Sequence, residues 1–158
     1  MKREAWSAFA AAAAVLFLVA CQDASTDLVP GATVQVHLSE WKIAADRATA
    51  PAGHLVINVA NDGADVHNLI FLETDIAPEA LPVTPTGDVD VAAKGLVNVA
   101  EVKDLAPGAS GSVTLGDAVP GKYVFVCTVA TSSGMSVGHP YKLGMFQGFT
   151  LTEAPGQE

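Results

Sequence analysis

An all-β Greek-key sandwich is the fold class that this sequence predicts. Helical periodicity is scarce beyond residue 30, short β-branched and apolar runs recur in its place, and Gly, Pro, Asn and Asp bound those runs at short intervals. With 158 residues, half of them apolar, the chain can fill one core, and a second domain is not expected.

Eight candidate strands follow in order: Thr33 to Leu38, Trp41 to Ala45, His54 to Ala60, His67 to Leu72, Leu96 to Val102, Gly111 to Leu115, Lys122 to Cys127 and Gly148 to Thr152. Turn chemistry separates them. Pro51-Ala-Gly53 precedes the third, Asn61-Asp-Gly63 follows it, Pro107-Gly108 precedes the sixth and Pro120-Gly121 the seventh, each offering a Gly or Asn that tolerates positive φ. Between Glu73 and Gly95 the segment ETDIAPEALPVTPTGDVDVAAKG carries three prolines and several acids. It reads as a long surface excursion with one helical turn near Pro78 to Leu81.

The N-terminus is of another kind. Lys2 and Arg3 precede an Ala/Val/Leu/Phe run reaching Ala20, which reads as a secretory signal peptide over residues 1–20. The run falls short of the roughly 20 residues that span a bilayer, and the polar Gln-Asp-Ala-Ser-Thr-Asp stretch follows at once. The LVAC of Leu18 to Cys21 resembles the lipobox of bacterial lipoproteins, which implies acylation of Cys21. Residues 21–31 would then be the acylated Cys and a polar tether, and residues 32–158 the folded domain. Two acyl chains anchor a protein stably where one does not. The expected location is thus extracytoplasmic, in a bacterial cell envelope, with the domain attached to the membrane through Cys21.

The formal charge is −9. Loss of residues 1–20 removes Lys2, Arg3 and Glu4, leaving six Lys/Arg against sixteen Asp/Glu, a charge of −10. So acidic a body argues against nucleic acid or anionic lipid as a partner. It serves either solubility or steering toward a basic patch on a protein partner. GDAVPG, Gly116 to Gly121, lacks the Lys-Ser/Thr of a phosphate loop, so nucleotide binding finds no support.

Chemistry-bearing residues gather in three places: His67 within VHNLIFL, Cys127 at the end of GKYVFVC, and His139 and Met145 within GHPYKLGM. Strand parity puts Tyr123, Phe125 and Cys127 on one face, with Val124 and Val126 opposite. The same counting groups His67, Leu69 and Phe71 against Asn68, Ile70 and Leu72. A thiolate, two imidazoles and a thioether form the donor set of a mononuclear blue-copper centre. A His-His-Cys set could also take zinc, but the thioether favours the softer, redox-active metal. His37 and His54 lack partner motifs and read as structural or surface residues.

These motifs resemble those of the cupredoxins, the small blue-copper proteins, over about residues 33 to 152. The resemblance rests on His67-Asn68 at a strand start, the G-x-Y-x-F-x-C strand ending at Cys127, the order Cys, His, Met after it, Gly144-Met145 before FQGFTL, the SEWKI of Ser39 to Ile43 and the APG of Ala106 to Gly108. It implies copper ligation by His67, Cys127 and His139, with Met145 as the weak axial ligand and Asn68 tying the two ligand segments by hydrogen bonds. Eleven residues separate Cys127 from His139 and five separate His139 from Met145, both more than the family commonly has. The axial position is therefore open among Met145, Met135 and neither.

The resemblance implies a monomeric, membrane-tethered carrier of single electrons between redox partner proteins, and not an enzyme. Storage of copper, or its delivery to an oxidase, is the alternative. A multicopper oxidase or nitrite reductase needs further domains and paired His-Cys-His ligands. A dinuclear copper subunit needs two cysteines on one loop, and beyond Cys21 the chain has only Cys127.

Overall fold

A computed structural model describes residues 31–129 and 139–154. Nine strands lie among them: β1 (Ala32–Ser39), β2 (Lys42–Ala45), β3 (Thr49–Pro51), β4 (Gly53–Asn61), β5 (His67–Glu73), β6 (Val97–Leu105), β7 (Ser110–Ala118), β8 (Gly121–Val126) and β9 (Phe146–Thr152). One sheet has the order β2-β1-β4-β7 and the other β3-β9-β8-β5-β6. Both are mixed, because β1 runs parallel to β4 and β3 parallel to β9 while the remaining pairs are antiparallel.

Each of the eight expected strands has its counterpart. β3 is additional: three residues ending in Pro51 carry too little periodicity to be read as a strand, and they pair with Thr150 to Thr152 at the far end of the chain. Cys21, Met135 and the expected signal and tether boundaries lie outside the described residues, apart from Gly31.

Alternation builds the interior. Along β1, Ala32, Val34, Val36 and Leu38 are buried while Thr33, Gln35 and His37 face water, and β4 answers with Leu55, Ile57 and Val59. These meet Leu69 and Phe71 of β5, Tyr123 and Phe125 of β8 and Phe149 of β9 between the sheets. Phe71 stacks on both Tyr123 and Phe125 with ring centroids 4.7 Å apart. Strand parity thus places the side chains as the sequence implies, and Cys127 lies in this same core.

The outer face of the second sheet corrects one expectation. Residues 74–96 are not a mere surface excursion, since Leu81, Val89 and Leu96 form a second apolar cluster with Ile70, Leu72, Val124, Val126 and Tyr141. β5 is therefore buried on both faces, which is why His67 to Leu72 reads as a nearly unbroken apolar run rather than an alternating one. A 3₁₀ turn at Pro78–Ala80 and another at Pro140–Leu143 are joined across this cover. The Tyr141 hydroxyl donates to the Pro78 carbonyl at 2.8 Å and accepts the Leu81 N–H at 2.9 Å.

Candidate metal centre

The start of β5 and the residue after β8 lie beside each other at one end of the sandwich. His67 and Cys127 occupy these positions, both inaccessible to solvent, with the imidazole Nδ1 3.7 Å from the thiol Sγ. Antiparallel pairing of β5 with β8, Ile70 opposite Val126 and Phe71 opposite Phe125, fixes that proximity through the backbone. The two side chains therefore meet because of strand register.

Asn68 closes the contact from the outer side. Its Nδ2 donates to Thr128 Oγ1 at 3.0 Å, and its Oδ1 accepts the Thr128 N–H at 2.8 Å, so the residues next to His67 and Cys127 are tied twice. Burial pushes the Cys127 thiol above its ordinary pKa, while the backbone N–H groups of Asn68 and Val129 act on the sulfur in the opposite direction. Those N–H groups point at the atom that would carry negative charge as a thiolate.

Met145 is also wholly buried and belongs to the same core cluster as Cys127. Its carbonyl accepts the Cys127 N–H at 3.3 Å, and its own N–H donates to Pro140 O at 2.9 Å. Gly144 precedes it with φ of 102°, a left-handed conformation that glycine adopts without strain and that turns the chain from the 3₁₀ turn into β9.

His139 stands apart. Its Nδ1 is 2.9 Å from Asp88 Oδ1, on the segment covering the second sheet, and the pair is about three-quarters buried. Among the described residues no three His, Cys, Asp or Glu side chains gather into a metal-holding group. Of the four expected donors, the structure brings His67 and Cys127 together, places Met145 in their core cluster and holds His139 against Asp88.

Two further residues escape sequence reasoning. Asp88 gives no signal, because its neighbours are the turn residues of an irregular segment. Glu40, whose Oε1 lies 3.5 Å from His67 Nε2, sits in the SEWKI phrase, but nothing in its spacing relates it to a histidine 27 positions on. His37 pairs with Asp62 at 2.7 Å on the surface and His54 is exposed, so neither joins the site.

The donor geometry fits a metal ion. A thiolate about 2.3 Å and an imidazole nitrogen about 2.0 Å from one ion, at an angle between tetrahedral and trigonal, lie roughly 3.5 to 3.8 Å apart. The observed 3.7 Å falls in that interval. The same spacing lets the Cys127 thiol rest against the Nδ1 lone pair.

No family model matches the chain, and no curated protein matches it. Among solved structures, reduced auracyanin from Roseiflexus castenholzii superposes with a TM-score of 0.51 at 24% identity, covering 76% of this chain and 96% of its own. A rusticyanin variant gives 0.50 at 17% identity, with 77% of each chain covered. Auracyanin A, a "blue" copper protein from Chloroflexus aurantiacus, gives 0.45 at 20% identity over 77% of this chain and 99% of its own. Two mixed sheets in this strand order, closed over a core with His67 and Cys127 at one end, give this chain the cupredoxin fold.

Proposed function

We propose that this chain is a type 1 copper protein carrying single electrons between redox partner proteins of a bacterial cell envelope, and not an enzyme. The observation that carries the reading is the buried contact between His67 Nδ1 and Cys127 Sγ, two ligand types with a separation suited to one ion. Copper is favoured over zinc by the soft donors, a thiolate and the buried thioether of Met145. The rusticyanin that shares the fold is likewise a copper protein. His67, Cys127, His139 and Met145 would hold the ion.

When bound, copper supplies a one-electron couple. The chain's residues do the rest. Burial keeps water from the sulfur and the imidazole, and the aromatic stack behind Cys127 resists movement of its strand. Asn68 fastens the two ligand segments, and the N–H groups of Asn68 and Val129 stabilise the sulfur as a thiolate once its proton leaves. Rigid donors keep reorganisation small, which electron transfer rewards. An acylated Cys21 would tether the monomeric domain near membrane-bound partners, its acidic surface facing their basic patches.

One observation favours the second reading, copper storage or delivery: His139 is engaged by Asp88 rather than by the other donors. The two readings part in a single experiment. The protein is loaded with copper, reduced, and mixed with a Cu(I) chelator, and electron exchange is followed by stopped flow. A carrier retains its copper through repeated redox cycles and exchanges electrons faster than it loses metal. Transfer of Cu(I) to the chelator before any electron exchange would establish delivery instead.

A further inference from the structure

We infer that Glu40 is a positioning residue for His67: it holds the imidazole in the tautomer protonated on Nε2, so that the lone pair at Nδ1 is directed at Cys127. The inference deepens the copper reading and rests on it for its purpose, though the tautomer itself can be tested without metal.

The architecture starts in a two-residue turn. Ser39 pairs with Lys42 across β1 and β2, leaving Glu40 and Trp41 to make the connection, and Trp41 takes φ of 63° to do so. The turn presents the Glu40 carboxylate to the loop between β4 and β5. That loop is built by Asn61, whose Nδ2 donates to Asp65 O at 2.7 Å and Leu105 O at 2.8 Å while its Oδ1 accepts the Gly63 N–H at 2.9 Å. Thus shaped, the loop donates two backbone N–H groups to Glu40 Oε1, from Ala64 at 2.7 Å and from Asp65 at 2.9 Å.

The same oxygen lies 3.5 Å from His67 Nε2. That nitrogen is fully buried and has no hydrogen-bond partner, which is costly unless an acceptor is at hand. A carboxylate seated on two N–H donors is an acceptor only, so it can stabilise a proton on Nε2 and cannot supply one to it. Hydrogen bonds from two backbone N–H groups, those of Ala64 and Asp65, fix that oxygen in place as an acceptor. Carboxylate partners on the second nitrogen of a metal-binding histidine fix its tautomer and orientation in this way.

Gly63 supplies an independent handle. A Cβ there would stand 2.5 Å from Glu40 Oε1, so the carboxylate occupies space that only a glycine leaves open. Gly63→Ala should displace the carboxylate while both Glu40 and His67 remain, and the obstructing atom is the end of a flexible side chain that can yield without unfolding the loop.

The test is long-range ¹H–¹⁵N NMR of the imidazole nitrogens in the metal-free protein, for wild type, Glu40→Ala and Gly63→Ala. Wild-type His67 should show a single tautomer protonated on Nε2, and both variants should lose that purity, giving a mixture or the Nδ1-protonated form. A wild-type ring protonated on Nδ1, or variants with unchanged tautomer populations, would overturn the inference. Copper titration of the same samples separates this result from the metal assignment. Glu40→Ala should weaken copper affinity about 10- to 100-fold, and an unaltered affinity would also count against it. If wild type takes up no copper while the tautomer still follows Glu40, the positioning role stands and the copper reading falls.

Discussion

Phe71→Ala should cost about 3–5 kcal/mol of folding stability, the usual range for removing a buried aromatic ring. Phe71 is 1% exposed and lies at the meeting point of the second sheet's inner face. It stacks on Tyr123 and Phe125 at 4.7 Å and meets Phe149 edge-on at 6.0 Å. Truncation empties a volume whose walls are other rings on paired strands, which the register of β5 with β8 prevents from collapsing inward. Against a typical total of about 5–15 kcal/mol such a loss is severe, and it should lower the melting temperature by roughly 10–20 °C. Denaturant unfolding of the variant beside Val97→Ala, at a residue 55% exposed, gives the comparison. The surface change should stay within about 0.5 kcal/mol. A Phe71→Ala loss below about 1 kcal/mol would mean that the rings do not form the rigid support described here.

Cys127→Ser should abolish the intense visible thiolate-to-copper band of the copper-loaded protein and weaken copper binding by more than the 10- to 100-fold typical of outer-shell partners. The reason is specific to sulfur. A serine hydroxyl at this position, fully buried, has neither the softness nor the accessible anion to replace a thiolate. Burying the hydroxyl also costs about 1–3 kcal/mol, so Cys127→Ala serves as the second variant, lacking both sulfur and hydroxyl. Far-UV circular dichroism should show both folded. A visible band surviving in either variant would place the metal on other donors.

The strands were legible because their sequences obey one period. β1 and β4 alternate cleanly, and β5 was legible as a strand, whereas its burial on both faces emerged only with the structure. What covers β5 was not legible, because Leu81, Val89 and Leu96 are isolated among prolines and acids, and their convergence on Ile70 and Leu72 is a tertiary fact. The contact between His67 and Cys127 could be anticipated since both end core strands, and strand ends are fixed by register. His139 could not be placed in the same way. Its ring partner, Asp88, comes from the irregular cover, and a hydrogen bond of this kind leaves no periodic trace. Glu40 is hidden for a similar reason, reaching His67 through a hairpin turn and a loop shaped by Asn61 rather than through any strand.

The claim on which the functional reading depends is that His67 and Cys127 together hold one copper ion. A crystal structure of the copper-loaded protein, with anomalous scattering recorded at the copper edge, tests it most directly. One anomalous peak is expected within about 2.0–2.3 Å of both His67 Nδ1 and Cys127 Sγ, with the His139 ring having exchanged Asp88 for the ion. A peak bound elsewhere, or on His139 and Asp88 with the 3.7 Å contact of His67 and Cys127 untouched, would contradict it.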